Sequence, residues 1–283
     1  MIKGLVPFYS QLFVFNYYNC FTVLLAKYCC LLAIAAFSLV CAEETRQVVD
    51  RFGTIKTYYK SKLHSVNDKP AIKKQNGHKE WYKKGKLHRD KKPAIIYADG
   101  GMEYYQEGKL HRDKDRPAVD LDNGTKEWWV HGKKHRDKKP AAIIPKKSKM
   151  WYQHNKLHRI GKPAIEWENG NYAYFKNGEL HSYKNKPAIK NDKGLEWYFK
   201  GKRHRLGDLP AVHYKTGRKE WWINGKRSRL NGKPAIKVHG VVEEYYFDDK
   251  LHRVNGPAVD SANGYKAWYI NGDLSKRILP KGS

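Results

Sequence analysis

Histidine followed by arginine recurs along this chain at a near-constant interval. The histidines are His64, His88, His111, His135, His158, His181, His204 and His252, with Ser228 in the slot once. Arg89, Arg112, Arg136, Arg159, Arg205, Arg229 and Arg253 follow, with Ser65 and Ser182 as exceptions. By residue type the imidazoles can ligate a metal or move a proton. Their spacing argues against both. Equivalent residues of adjacent β-repeats stand about 9–10 Å apart, two strand spacings, whereas a zinc ligand lies ~2.0–2.1 Å from its ion. One histidine per repeat does not chelate. A catalytic site needs distinct groups in distinct roles, and here one dyad is copied with no Ser, Cys or carboxylate repeated beside it. The sequence points to no catalytic residue, no metal and no cofactor. A structural role is open to the ladder: imidazole bonding a turn carbonyl, arginine pairing with a glutamate or stacking on an indole.

The elements that position the dyad carry the same period. Aromatic doublets recur at Tyr58-Tyr59, Trp81-Tyr82, Tyr104-Tyr105, Trp128-Trp129, Trp151-Tyr152, Tyr174-Phe175, Trp197-Tyr198, Trp221-Trp222, Tyr245-Tyr246 and Trp268-Tyr269, always 23 or 24 residues apart. Pro-Ala pairs keep step, from Pro70-Ala71 to Pro257-Ala258. A period in the twenties means a repeat architecture. Asn-Gly and Asp-Gly pairs, as at Asn76-Gly77, Asp99-Gly100 and Asn123-Gly124, predict two-residue primed hairpin turns. Thr125 to Val130 predicts one strand, ended by Gly132, and the Pro-Ala pair starts the next. Alternation places Ile95 with Tyr97, Val119 with Leu121 and Val212 with Tyr214 on the buried face, with the alanines opposite. One aromatic of each doublet belongs with the apolar ladder and the other on the more open face. The fold class expected is all-β: an elongated antiparallel β-sheet built from about nine tandem β-hairpin repeats of 23–24 residues.

Composition sets further limits. The 283 residues carry 56 Lys plus Arg against 28 Asp plus Glu, a net charge of +28, with 40% hydrophobic and 13% aromatic residues. So many aromatics exclude a disordered polycation. Apolar residues strung at regular intervals exclude a conventional enzyme core. Residues 4–26 and 28–42 are uncharged, and Tyr28 to Ala42 lies between Lys27 and the acids Glu43 and Glu44. Residues 1–42 read as a signal peptide with cleavage after Ala42, or as a membrane anchor. Residues 43–52 read as a linker, 53–274 as the repeat domain and 275–283 as a polar tail that caps it. Cys20, Cys29, Cys30 and Cys41 all fall in the N-terminal segment, so a cleaved chain has no cysteine and keeps a charge of +26.

The stretch Gly77 to Leu87, Gly-x-x-x-Trp-Tyr-x-x-Gly-Lys-Leu, resembles the variant form of the MORN repeat. The resemblance covers about 53 to 274. The added His-Arg and Pro-Ala elements are similar to a subtype found in repeat proteins of large DNA viruses and some bacteria. It implies hairpin repeats in an elongated β-sheet, scaffolding or membrane-apposed roles, and no shared catalytic residues. Ordinary MORN repeats are less basic and lack the His-Arg signature.

Two functional readings follow. In the first, an exported, non-catalytic scaffold binds an anionic polymer or surface through a basic loop face. That face comprises Arg89, Arg112, Arg136, Arg159, Arg205, Arg229 and Arg253, with Trp81, Trp128, Trp129, Trp151, Trp197, Trp221 and Trp222 available to stack on sugar rings or bases. Export favours anionic polysaccharide or an anionic lipid surface over nucleic acid. In the second, the aromatic face binds a folded protein partner in a surface or virion layer, with self-association through an uncovered apolar face. Both place the chain outside the cell, at a cell or virion surface, or on a membrane if the N-terminal segment is retained. The most irregular repeat, Ala141 to Met150, is expected to contain a bulge.

Overall fold

A computed structural model describes residues 45–280. The expected signal or anchor segment, residues 1–42, lies outside the described residues. The chain divides into two compact units, Met1–His88 and Arg89–Ser283. The fold is all-β: every regular element among the described residues is a strand, and none is a helix long and apolar enough to cross a membrane.

In the first unit, Ile55–Tyr59 is the central strand. It pairs antiparallel with Thr45–Val49, with Ile72–Lys73 and with Lys62–Leu63. Lys79–Glu80 extends the ladder from Ile72–Lys73. Tyr82–Lys83 and Lys86–Leu87 form a separate short hairpin.

The second unit repeats that plan. Val119–Asp120 pairs with Met102–Glu103 on one side and Lys126–Glu127 on the other, and Lys126–Glu127 pairs with Ala142–Ile144. Thus the sheet grows in chain order. Each repeat contributes a second, side hairpin, such as Trp129–Val130 with Lys133–Lys134. The expected strand from Thr125 to Val130 is therefore two strands, broken at Trp128. The main chain explains the break. Trp128 N–H donates to Ala141 O of the following strand at 2.8 Å, while its carbonyl accepts from His135 N–H of its own hairpin at 3.0 Å. The first aromatic of a doublet is a pivot between two pairings, so a repeat holds four short strands rather than two.

The turns also differ from expectation. In Asn123-Gly124 only the glycine has positive φ, at +80°. Leu121 N–H bonds Thr125 O and Gly124 N–H bonds Leu121 O, the three-residue loop with a terminal left-handed residue. The Asn123 side chain holds this form by accepting from Thr125 N–H at 2.9 Å, an Asx turn. Primed two-residue turns lie instead at the side-hairpin tips, where His131 and Gly132 have φ of +46° and +79°.

Alternation misassigned the alanines. Ala94, Ala118, Ala141, Ala164, Ala211 and Ala235 are completely buried, as are the neighbouring Val212 and Ile236 on the opposite side of the strand. The alanine face is closed by the His-Arg loop, whose arginine bonds the carbonyl of the proline just before each alanine. Only a methyl group is placed there. The irregular repeat contains no bulge: Ala142–Ile144 and Ser148–Met150 pair in straight register, and Pro145 opens a tight turn completed by Lys146 at φ +54°. At the C-terminus, Asp273–Ile278 is a strand paired with Lys266–Ile270, so the last element runs beyond 274 into the expected tail.

Candidate functional site

The arginines of the ladder are built into the fold. Arg112, Arg136, Arg159, Arg205, Arg229 and Arg253 place the guanidinium carbon 3.6–3.8 Å from the ring centroids of Tyr104, Trp128, Trp151, Trp197, Trp221 and Tyr245. This is stacking contact. Each also donates Nη1 to the next proline carbonyl, as Arg112 does to Pro117 at 3.0 Å and Arg253 to Pro257 at 3.1 Å. Arg89 makes the same bond to Pro93 at 3.3 Å. The side chains of Arg136 and Arg229 are only 13% and 14% exposed, and burial holds the guanidinium pKa of Arg112 and Arg205 below its ordinary value. The rings they cover are buried too, and Trp81 is buried as well: Trp81, Trp128, Trp151, Trp197 and Trp221 are not offered to a ligand. Sequence reasoning assigned both groups to binding because stacking within a chain and stacking on a ligand use the same residue types.

Loop length decides how each arginine–aromatic pair is completed. Where proline comes six residues after the ladder position, two consecutive left-handed residues occur, such as Lys114 and Asp115 at φ +61° and +51°. The fifth of these loops, 228–234, is followed by Tyr245. In the other four the second left-handed residue turns its carbonyl toward the next indole: Trp81 Nε1 donates to Asp68 O at 2.9 Å, Trp128 to Asp115 at 3.0 Å, Trp197 to Asn185 at 2.8 Å and Trp221 to Asp208 at 3.0 Å. Where that residue is Asp115 or Asp208, its carboxylate then meets an arginine stacked on an indole. Arg136 forks onto Asp115 at 2.5 and 3.1 Å, and Arg229 onto Asp208 at 2.6 and 3.1 Å. Lys139 and Lys233 join at 2.9 Å. The Arg136 and Lys139 bonds hold the Asp115 carboxyl at about 2, and the equivalent bonds hold Asp208 far below the usual carboxylate range. Where proline comes five residues after the ladder position, as in His135 to Pro140, one left-handed residue occurs, Lys138. Tyrosine then follows at Tyr104 and Tyr174, and the one described exception before the last repeat is Trp151, whose buried Nε1 has no partner. Arg112 Nε is orphaned in the same way.

In six repeats the second aromatic is tied by a glutamate that precedes the doublet. Tyr82, Tyr105, Tyr198 and Tyr246 donate their hydroxyls to Glu80, Glu103, Glu196 and Glu244 at 2.6–3.0 Å. Trp129 and Trp222 donate Nε1 to Glu127 and Glu220 at 2.8 and 3.0 Å. Burial and Glu244 push the Tyr246 phenol up to about 12. Trp129 and Trp222 are half-buried. The expected pairing of these glutamates with cations is met in part, by Lys134 on Glu127 at 2.7 Å and Arg203 on Glu196 at 2.9 Å.

The histidines join one repeat to the next. Nδ1 of His64, His111, His158, His204 and His252 accepts from the backbone N–H of Lys84, His131, Asn177, Asn224 and Asn271 at 3.0–3.3 Å. Each donor opens the following side-hairpin tip. The partner is thus a turn N–H, not the carbonyl expected. An accepting Nδ1 requires the neutral ring with its proton on Nε2, and His111 Nε2 lies 3.1 Å from Asp113 Oδ1, placed to donate.

Two exposed rows remain, and the sequence reading named neither among its site residues. The first lies on the side-hairpin tips: Lys109, Lys133, Lys156, Lys202, Lys226 and Lys250 are all exposed. The tips stack, since a Cβ on Gly132 would meet the Lys109 stem at 3.5 Å and one on Gly225 the Lys202 stem at 3.4 Å. The lysines therefore recur at one-repeat intervals, save that Glu179 fills the slot between Lys156 and Lys202. The second row is the slot after each ladder arginine. It holds Asp113 and Asp137 early and Ile160, Leu206, Leu230 and Val254 later, the four aliphatics being 63% to 77% exposed. Between successive loops lie clefts floored by second aromatics. One of about 500 Å³ includes Tyr198, Phe199, Leu206 and Leu209, one of about 510 Å³ Tyr246, Phe247, Leu230 and Val254, and one of about 420 Å³ the charged Asp113, Arg116, Asp137 and Lys138. Position after the arginine was the signal that could have found this row. Neither a protein-family model nor a curated protein matches the chain.

Proposed function

We propose that the chain is a non-catalytic, exported repeat scaffold of the MORN-variant kind that holds an extended anionic polymer. The lysine row on the side-hairpin tips carries this reading. Lys109, Lys133 and Lys156 are exposed and recur one repeat apart, about 9–10 Å by strand spacing. A row of cations at constant interval suits a partner whose charges also repeat, and it adds affinity through simultaneous contacts. The ladder arginines, already stacked and bonded, serve the scaffold. Anionic polysaccharide is the partner class we assign. Anionic lipid and nucleic acid present the same charge, and experiment separates them.

The test is retention of the full chain on heparin, on anionic vesicles and on duplex DNA across a salt series. Heparin is expected to hold longest. The variant carrying Lys109→Glu, Lys133→Glu and Lys156→Glu is expected to elute at markedly lower salt with an unchanged β circular-dichroism spectrum. Its salt dependence should weaken by about one counterion per lost contact. Equal elution of variant and parent rejects the reading. A protein-interaction role is the second reading, favoured by the exposed aliphatic slots of the later repeats.

A further inference from the structure

The aliphatic row defines a surface of its own. Loops 158–163, 181–187, 204–210, 228–234 and 252–257 place Ile160, Tyr183, Leu206, Leu230 and Val254 in one slot. Four are aliphatic and largely exposed. Phe199 and Phe247, 48% and 58% exposed, line the clefts between these loops. Repeated exposure of large apolar side chains in line marks a contact surface. Its surroundings are basic: besides four arginines already stacked within the fold, the five loops carry Lys162, Lys184, Lys186 and Lys233 against one acid, Asp208, which pairs with Lys233. A second copy of this chain would oppose like charge to like, so the occupant is acidic between its apolar groups.

Dimensions narrow the occupant further. Successive slots are separated by two strand spacings, about 9.6 Å. A polyproline II helix advances ~3.1 Å per residue with three residues per turn, so every third side chain falls on one side about 9.3 Å apart. An α-helix has no matching period, because side chains on one face recur at about 5–6 Å or near 10–11 Å after seven residues, with large bulk between. Aromatic-floored clefts are also the surfaces on which polyproline II segments dock.

We propose that the later repeats bind an acidic polypeptide segment in the polyproline II conformation, seating one apolar side chain per repeat between Leu206, Leu230, Val254 and the cleft aromatics. This surface is distinct from the lysine row and does not depend on it.

The probe is a fluorescein-labelled peptide of five Glu-Pro-Leu units, titrated with the full chain and read by anisotropy at about 0.15 M salt, where surface charge is partly screened. Two control peptides share its acidity: one with Ser for Leu, and one with Leu at every fourth residue. The Glu-Pro-Leu peptide is expected to bind at least about tenfold more tightly than either, the effect of seating one or more aliphatic side chains. Leu206→Ser with Leu230→Ser is expected to abolish that advantage. Val254→Ser should weaken it, and Asp113→Ser should leave it intact. Both leucines are exposed, so circular dichroism and the melting temperature should be unchanged. Equal binding of all three peptides, or undiminished binding by the double variant, overturns the proposal. So does a result in which only phosphatidylserine vesicles, and not the peptide, depend on Leu206 and Leu230.

Discussion

Trp128 and Trp151 form a matched pair that isolates the effect of loop length. Each indole is 7% exposed, and each is covered by an arginine with its guanidinium carbon 3.7 Å from the ring centroid. They differ at Nε1. Trp128 donates to Asp115 O at 3.0 Å, while Trp151 has no partner. Substituting Phe at either site removes comparable apolar surface and a comparable stacking contact, and these losses cancel in the comparison. At position 128 the change also removes a hydrogen bond worth a net ~0.5–1.5 kcal/mol. At position 151 it removes an orphaned buried donor whose burial costs ~1–3 kcal/mol. Trp128→Phe should therefore destabilise by about 2–4 kcal/mol more than Trp151→Phe. Repeat proteins unfold by neighbouring interfaces rather than in a single step, so the assay is the urea midpoint and melting temperature of each variant beside the parent. At ~2–4 °C per kcal/mol for a chain of this size, the two variants should melt on the order of 5–10 °C apart. Equal losses, or a larger loss at 151, would refute the argument that the five-residue loop leaves the indole unserved.

Other consequences are testable by the same methods. Burial, then Lys176 and Lys200, lower the His181 pKa, so the native state disfavours its proton. Its contribution is complete above the unfolded value near ~6.5 and is lost as pH falls below it. His181→Gln should flatten the dependence of the urea midpoint on pH between about 7 and 5. Asp115, held at about 2 by Arg136 and Lys139, stabilises above the ordinary carboxylate value of ~3.9 and ceases to as pH falls through about 2. Asp115→Asn should lower the melting temperature at neutral pH and leave it little changed near the acid limit. Glu220→Ala leaves Trp222 Nε1 without its acceptor and opens a buried site. It should cost about 1–3 kcal/mol, read as a lower urea midpoint, whereas Glu220→Gln should recover part of the loss.

The period, the strand character and the burial of one aromatic per doublet were legible because hydrophobic spacing reports them directly. The pivot at Trp128 was not. A six-residue β-prone run reads as one strand whichever neighbours its two halves choose, and only the bonds to Ala141 and His135 divide it. Asn123-Gly124 was a sound turn signal with the wrong loop attached, because the Asx bond to Thr125 keeps Asn123 at negative φ. The ladder arginines were visible as a set, but their type is equally suited to an internal ring or an external anion. The 23- and 24-residue spacings were plain in the sequence. The second left-handed residue was not, because it occurs within spacings of both lengths.

The five- and six-residue loops also bear on how such an array can lengthen or shorten by copying. A loop of six residues and the indole that follows it act together, through one carbonyl and one fork of ion pairs, although they belong to successive hairpins. A duplication cut between them separates donor from acceptor and yields another orphan like that of Trp151. A cut within a side hairpin, after the aromatic, keeps the pair together. The segment that can be inherited intact therefore runs from one side-hairpin tip to the next, out of phase with the hairpins that the eye picks out. Trp151, behind its short loop, has the arrangement that such a cut would leave.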